Sequence, residues 1–174
     1  MPVRPIVEVP DPRLRAVSAP VAKVDDEVRA LAQDMLDSMY AAQGIGLAAI
    51  QIGEARRLVV LDLQEPEEEG GEPVKRPQIL VNPEVLWASD ELASYNEGCL
   101  SIPEQYAEVE RPARIRARWL DGEGQAQEAE LDGLMATVVQ HEIDHCDGVL
   151  FTDRISRLKR EMLMKKLNKL RRAA

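Results

Sequence analysis

The segment QHEIDHCDGVL, residues 140–150, constrains this chain most, because it contains both of its histidines. His141 and His145 are four residues apart, so on a helix they share one face and can direct ring nitrogens at a single ion. Glu142 lies about 100° further round and can reach a water molecule bound to that ion. The apolar stretch LMATVV precedes the pair, and buried histidines need partners that offset their desolvation. The segment therefore predicts half of a metal site on a buried helix.

The third ligand decides the class of site, because a catalytic metal of this kind usually has three protein ligands and one open position. The metzincin pattern HExxHxxGxxH fits as far as Gly148, but Phe151 takes the position of its third histidine. A downstream acid of the thermolysin type could be Glu161, which falls among Met and Lys in a basic stretch. Cysteine is the remaining option.

The two cysteines are not equally suited to be the third metal ligand. Cys146 directly follows His145, so its side chain points about 100° away on the same helix, and we expect a small apolar core residue. Cys99 lies in NEGCLSIPE, where Gly98 and Pro103 indicate a strand end or a turn that could meet the helix. Considered alone, Cys99 is more often a buried free cysteine.

The pattern of apolar residues predicts an α+β fold, because strands and helices are interspersed without regular alternation. Asp25 or Asp26 is expected to cap the first helix, and Asp132 and Gly148 to bound the HExxH helix. The arginines that alternate along the hairpin should face water. The predicted elements are a helix at 25–42, a strand at 58–63, an acidic loop at 64–77, a strand at 79–86 broken by Pro83, a hairpin at 114–131 with its turn at Asp121-Gly122, a helix at 134–148 and a last helix from Ser156.

Length and composition indicate one domain in the cytoplasm. A chain of 174 residues with 45% apolar residues can bury a core of its own. No apolar run approaches the roughly 18–20 residues that cross a bilayer, and the first residues resemble neither a signal peptide nor a transit peptide. We therefore expect no membrane segment and a cytoplasmic location.

Charge is distributed unevenly along the chain. The net charge of −9 argues against a general nucleic-acid-binding protein. Residues 156–172 contain eight Lys or Arg against one Glu, so this stretch carries +7 and the remainder carries −16. Cations suit the last turn of a helix, but such an excess is more than capping requires.

Three motifs together resemble those of the peptide deformylases. They are GIGLAAIQ at 44–51, EGCLS at 97–101 and HEIDH at 141–145, in this order. DPRLR at 11–15, Asn82-Pro83 and the basic stretch are also similar, so the resemblance covers nearly the whole chain. It implies one catalytic domain over residues 1–174, with antiparallel strands packed around the HExxH helix and a basic C-terminal helix at 156–172.

The resemblance also implies the metal and its ligands. Cys99, His141 and His145 would hold the ion and leave a fourth position for water. Fe²⁺ is the usual metal of the family, and Zn²⁺, Ni²⁺ or Co²⁺ could occupy the site. A thiolate and two imidazoles are compatible with each of these metals.

The remaining catalytic roles follow from the same resemblance. The implied reaction would remove the N-formyl group from the initiator methionine of newly synthesised polypeptides and release formate. Glu142 would accept the proton of the attacking water and deliver it to the leaving amine. The side-chain amide of Gln51 and the backbone N–H of Leu100 would stabilise the oxyanion.

We expect the substrate to bind as an added strand along Ile45, Gly46 and Leu47, because small residues permit close backbone approach. The methionine side chain would enter an apolar pocket whose candidate walls are Thr137 and Val138. Glu97 and Arg111 are expected to pair and to support the loop that contains Cys99.

The predicted partners are N-formyl-methionyl nascent peptides and the ribosome, with a monomer favoured. Basic side chains on the last helix would contact ribosomal RNA or protein. The candidates are Lys159, Arg160, Lys165, Lys166, Lys169, Arg171 and Arg172. Two alternatives remain, a metallopeptidase of different specificity and a former enzyme retained as a ribosome-binding module.

Overall fold

The computed structural model describes residues 3–173, so residues 1, 2 and 174 of the predicted domain lie outside the described residues. The fold is α+β, as predicted. The helices are α1 (Asp26–Ala41), α2 (Gly133–Cys146) and α3 (Arg157–Ala173). The strands are β1 (Gly46–Ala48), β2 (Leu58–Leu61), β3 (Gln78–Ala88), β4 (Leu92–Cys99), β5 (Ile102–Pro112), β6 (Arg114–Leu120) and β7 (Ala126–Asp132). Over the described range, no helix is long and apolar enough to span a membrane.

The main sheet has five antiparallel strands in the order β1-β2-β3-β6-β7 and separates α1 from α2. Alternation along β2 explains this arrangement. Leu58 and Val60 pack with the buried face of α1, whereas Val59 and Leu61 pack with α2. The HExxH helix is therefore covered by the sheet, and all four residues of β2 are buried.

Helix boundaries agree with the predictions, although one cap differs. The Asp25 carboxylate accepts a hydrogen bond from the Val28 N–H at 3.0 Å, so Asp25 rather than Asp26 caps α1. Asp132 occupies the N-cap position of α2, but its side chain makes no capping hydrogen bond. Gly148 follows α2 in a left-handed conformation, with φ of 76°.

The predicted break at Pro83 was wrong, because β3 continues from Gln78 to Ala88. A bulge accommodates the proline: the pairing with β6 shifts register between Val81 and Glu84. Asn82 supplies the left-handed residue of this bulge, with φ of 53°. Its side-chain amide also pairs with both backbone groups of Val21.

The predicted hairpin is present as β6 and β7, but its turn is longer than Asp121-Gly122. The Asp121 N–H donates to the Gln125 carbonyl, and Gly124 is the left-handed residue. The arginines face water, as expected, and pair with neighbouring glutamates. These arginines are Arg114, Arg116 and Arg118.

Strands β4 and β5 form a separate two-stranded sheet that the sequence analysis did not predict. Cys99 pairs with Ile102, so Leu100 and Ser101 form a tight turn between the strands. Helix α3 packs against β5 through Leu163 and Leu167.

Helix α3 begins where the sequence predicted. The hydroxyl of Ser156 accepts a hydrogen bond from the Lys159 N–H at 3.2 Å, which satisfies one of the free donors at the start of the helix. The opposite face of α3 carries most of its basic side chains into solvent.

Candidate metal centre

Cys99, His141 and His145 lie together at the junction of α2 and the β4–β5 turn. One potential ligand atom from each residue lies within 4.8 Å of the other two. The Sγ of Cys99 is 3.2 Å from Nε2 of His145. The two histidines come from adjacent turns of α2, as their spacing predicted, and the cysteine comes from the end of β4.

The position of His141 is set from behind by Glu97. Nδ1 of His141 is 2.9 Å from Oε1 of Glu97, which leaves Nε2 free to face the cysteine. Burial by itself would raise the pKa of Glu97, but hydrogen bonds from His141 and Arg111 lower it below its ordinary value. Glu97 is therefore a buried anion that holds the imidazole in place.

The predicted pair of Glu97 and Arg111 is present and forms part of a longer network. Nε of Arg111 is 2.7 Å from one oxygen of Glu97, and Nη1 is 2.8 Å from Asp144. Arg154 also binds Asp144, at 2.8 Å and 3.1 Å. Every buried charge in this network has an opposite partner, which offsets its desolvation.

The electrostatic surroundings fit a bound cation. Burial by itself lowers the pKa of His141, but Cys99, Glu97 and Glu142 together raise it well above its ordinary value. Groups that favour a proton at this imidazole also favour a metal ion there, because both carry positive charge. Burial is the largest cause that lowers the pKa of His145, with a further effect of His141 and Arg111, and the neutral ring is the form that binds a metal.

Glu142 is buried in the cavity beside the metal centre. Its Oε1 has no hydrogen-bond partner among the described residues. Burial raises the pKa of Glu142 to about 7, against the opposing effect of His141. A Cβ atom on Gly46 would lie 2.7 Å from Oε2 of Glu142, so a side chain at this position would displace the carboxylate. The group is therefore suited to exchanging a proton with a molecule that enters the cavity.

Gln51 lies in the short 3₁₀ turn after β1 and is fully buried. Its Oε1 accepts a hydrogen bond from the Ala48 N–H at 3.0 Å. Its Nε2 lies 3.1 Å from the hydroxyl of Ser101 and 3.5 Å from the sulfur of Cys99. The amide group is thus directed at the metal centre from the side of the main sheet.

A cavity of about 590 Å³ opens onto this centre. The structure brings together most of the residues that the sequence analysis assigned to it. Leu47 and His145 do not line the cavity: the side chain of Leu47 is buried in the core with α1, and His145 is fully buried behind the cavity wall. The predicted residues that line the cavity are Ile45, Gly46, Gln51, Cys99, Leu100, Thr137, Val138, His141 and Glu142.

The other candidates for the third ligand are not part of the ligand cluster. Phe151, at the position of the third metzincin histidine, stacks on His141 with ring centroids 6.0 Å apart. Glu161 is exposed on α3 and pairs with Arg157 at 2.9 Å. Cys146 is buried in the core between α2 and the sheet, as expected.

Ser101, Asp144 and Arg154 were missed by sequence reasoning. Ser101 and Asp144 lie inside the EGCLS and HEIDH motifs, so their position in the motifs was the available signal. Nothing in the sequence around Arg154 indicates a link to the metal centre.

Comparison with known proteins identifies the same family along nearly the whole chain. A family model described as polypeptide deformylase matches residues 3–161. The curated peptide deformylase of Rhizorhabdus wittichii is 60% identical over 173 residues, which cover 99% of this chain and 98% of that protein. The peptide deformylase of Phenylobacterium zucineum is 56% identical, with 100% of both chains covered.

Solved structures give the same result for the fold. A crystal structure of a peptide deformylase from Legionella pneumophila has a TM-score of 0.88 and 40% identity, covering 98% of this chain and 96% of that one. A peptide deformylase from Ehrlichia chaffeensis in complex with actinonin also has a TM-score of 0.88, with 40% identity and coverage of 97% and 98%.

Proposed function

The chain belongs to the polypeptide deformylase family, and on that premise we propose that Cys99, His141 and His145 hold the metal at which its reaction takes place. It is a metal-dependent hydrolase that removes the N-formyl group from nascent peptides. One observation carries the proposal: a sulfur and two imidazoles converge at the wall of a cavity that also contains Glu142, whose buried Oε1 has no partner among the described residues. Membership of the family favours this function over a metallopeptidase or a binding module without activity.

Fe²⁺ is the metal that we propose for the native protein, with Zn²⁺, Ni²⁺ or Co²⁺ as substitutes. A thiolate with two imidazoles accommodates all of them. The bound metal supplies a Lewis acid, which acidifies water and polarises the formyl carbonyl. Metal analysis of protein purified without oxygen tests the identity of the ion, and a native protein that contains only zinc would contradict the iron assignment.

Glu142 is the proposed general base and acid. Its carboxylate accepts a proton from the water that attacks the formyl carbon, and the same carboxyl group then delivers a proton to the nitrogen of the leaving amine. A pKa of about 7 suits both steps, because the group can accept and release a proton near neutral pH. Formate and a peptide with a free amino group are the products.

Two hydrogen-bond donors are proposed to stabilise the oxyanion. The side chain of Gln51 comes from the turn after β1 and the backbone of Leu100 from the β4–β5 turn, and both residues line the cavity. Donors that are already in place when charge develops contribute roughly 3–4 kcal/mol each to such a reaction.

We propose that the peptide adds as a strand to β1, an edge strand of the main sheet with β2 as its neighbour. The backbone of Ile45, Gly46 and Leu47 would hold the substrate main chain. The methionine side chain would then lie against Thr137 and Val138. The change Val138→Phe narrows the proposed pocket, so we expect it to raise KM for formyl-Met peptides while the metal content stays unchanged.

Formate release tests the assigned reaction directly. Metal-loaded protein should release formate from formyl-Met-Ala-Ser and should leave unformylated Met-Ala-Ser intact. Cleavage of the unformylated peptide would favour a metallopeptidase, and absence of both activities would favour a binding module.

The exposed basic face of α3 supports a proposed contact with the ribosome. Deleting α3 would not test this contact, because the deletion also removes Leu163 and Leu167 from the core. Changing Lys165, Lys166 and Lys169 to glutamine removes charge while the buried face stays intact. We expect this variant to lose co-sedimentation with ribosomes at low salt.

A matched control separates the effect of α3 from that of net charge. The changes Arg114→Gln, Arg116→Gln and Arg118→Gln remove the same amount of charge from β6, on a different surface. This control should co-sediment like the parent protein. Equal loss in both variants would contradict a contact that is specific to α3.

We further propose that residues 1–174 act as one catalytic domain, that the protein is monomeric, and that it works in the cytoplasm. Its substrates, newly made peptides that still carry the formyl group, emerge from the ribosome, which supports this location. Light scattering of the purified protein tests whether it is a monomer, and fractionation of cells tests its location.

A further inference from the structure

Gln51 has a contact that its proposed part in oxyanion stabilisation does not explain. Its Nε2 lies 3.5 Å from Sγ of Cys99, within the range of an N–H···S hydrogen bond. The same nitrogen lies 3.1 Å from Oγ of Ser101. An amide nitrogen carries two hydrogens, so it can serve both acceptors.

The orientation of this amide is determined by its surroundings. Oε1 of Gln51 accepts the Ala48 N–H at 3.0 Å. Turning the amide over would set its NH₂ group against that backbone donor and would leave a buried donor without an acceptor, which costs about 1–3 kcal/mol. The NH₂ group therefore faces Ser101 and Cys99.

The hydroxyl of Ser101 accepts a hydrogen bond from one of the two N–H groups of the Gln51 amide. Its side chain is fully buried, and its backbone carbonyl accepts the Val9 N–H, so the residue is held in place. With one N–H directed at the hydroxyl, the planar amide directs the other towards the sulfur.

We infer that Gln51 donates a hydrogen bond to the thiolate of Cys99 and that Ser101 is the positioning residue that aims this donor. This inference rests on the proposed metal ligands. A hydrogen bond to a thiolate stabilises the electron density on sulfur, so the sulfur gives less charge to the metal and the metal remains a stronger Lewis acid. A long N–H···S contact can also be shared with an oxygen atom, so this role is compatible with oxyanion stabilisation.

Spectroscopy of cobalt-substituted protein tests the inference without measuring activity. Charge transfer from thiolate to Co²⁺ absorbs in the near ultraviolet, and its energy falls when the sulfur loses a hydrogen bond. The change Gln51→Met removes both N–H donors at similar side-chain length. We expect its charge-transfer band to move to longer wavelength.

Ser101 provides a second pair of variants. In Ser101→Ala the amide loses its anchor, so the band should move in the same direction by a smaller amount. Ser101→Thr keeps the hydroxyl and should return the band to its parent position. The change Gln105→Met removes another glutamine from the cavity wall and should leave the band unmoved.

Each outcome has a defined meaning. A band that stays in place in Gln51→Met, or that is the same in Ser101→Ala and Ser101→Thr, overturns the inference and leaves the ligand set intact. If Gln51→Met fails to fold, the Ser101 pair decides, and if that pair fails, Gln51→Met decides. If the parent protein shows no thiolate band, Cys99 is not a ligand, and both the ligand set and the inference are wrong.

Discussion

The carboxylate of Glu142 lies in a narrow space beside Gly46. Gly46 leaves room for its Oε2, and its Oε1 is buried without a partner among the described residues. The ligand cluster contains Cys99, His141 and His145, and Glu142 is outside it. Loss of its proton-accepting ability should therefore affect chemistry and leave metal binding intact.

The change Glu142→Gln tests this separation. It keeps the size of the side chain and removes the base, so kcat/KM for formyl-Met-Ala-Ser should fall by roughly 10²–10⁴. Metal content, measured on the same samples, should equal that of the parent. Glu72→Gln, at an exposed site in the acidic loop, should change neither quantity. Loss of metal from Glu142→Gln would show that Glu142 is itself a ligand.

Sequence could predict the residues of the site better than their supports. The spacing of His141 and His145 is a helical pattern, and its geometry follows directly. The support of His141 by Glu97 depends on a distance between two segments, and spacing along the chain carries no such information. The link from Arg111 to Asp144 and Arg154 was missed for the same reason, since any carboxylate nearby could satisfy an arginine.

At the scale of elements, the end of α2 depends on a close contact with the N-terminal segment. Gly148 has φ of 76°, and a Cβ atom there would lie 2.6 Å from the carbonyl oxygen of Arg15. Backbone on both sides of this contact leaves little room for adjustment. Only glycine satisfies both the left-handed conformation and the contact.

Gly148→Ala should therefore lower the free energy of unfolding by more than Gly70→Ala does. Gly70 is also left-handed, with φ of 78°, but nothing lies within 4 Å of an added Cβ. The free energy of unfolding of the control should fall by roughly 1–2 kcal/mol, the cost of alanine in the left-handed conformation. That of Gly148→Ala should fall by about 1–3 kcal/mol more, because of the contact with Arg15. Urea unfolding measures both values, and equal losses would mean that the contact with Arg15 relaxes freely.

Helix α3 has a buried face and a solvent face, so substitutions on the two faces should differ in their effect on the free energy of unfolding. Leu167→Ala should lower the free energy of unfolding by roughly 2–5 kcal/mol, because Leu167 is fully buried. Leu158 is 67% exposed on the same helix, so Leu158→Ala should change stability by less than about 0.5 kcal/mol. Similar values for both variants in urea unfolding would contradict the packing of α3 against β5.

Most elements followed from periodicity, and the errors have physical causes. The break at Pro83 was predicted because proline lacks an N–H, but the bulge at Asn82 removes the need for that donor. Strands β4 and β5 were missed because their exposed faces are polar and carry few apolar residues. These two strands contain too few apolar residues to show the alternating apolar and polar pattern from which strands are predicted.

At the scale of the whole molecule, an ion pair joins the N-terminal segment to the chain that follows α2. Nη1 of Arg15 lies 2.5 Å from Oδ2 of Asp153. Burial by itself raises the pKa of Asp153, but hydrogen bonds from Arg15 and the Leu150 N–H lower it below its ordinary value of 3.8. A carboxyl with a lowered pKa stabilises the fold above its unfolded pKa. That contribution is lost as pH falls through the folded value.

Asp153→Asn should show this dependence on pH. The parent should exceed the variant in free energy of unfolding by less than about 1 kcal/mol at pH 7, because the pair is partly solvated. The difference should narrow as pH falls below 4, measured by urea unfolding at several pH values. Asp90→Asn, at an exposed site, serves as the control. A difference that does not change with pH would contradict a role for the charge of Asp153.

The account as a whole depends on a sulfur that β4 brings to the two histidines of α2. Metal analysis of protein purified without oxygen, with Cys146→Ala as the matched control, tests this most directly. We predict about one metal ion per chain in the parent and in Cys146→Ala, and almost none in Cys99→Ala, because two imidazoles alone hold the ion weakly. One ion per chain retained in Cys99→Ala would contradict the central claim.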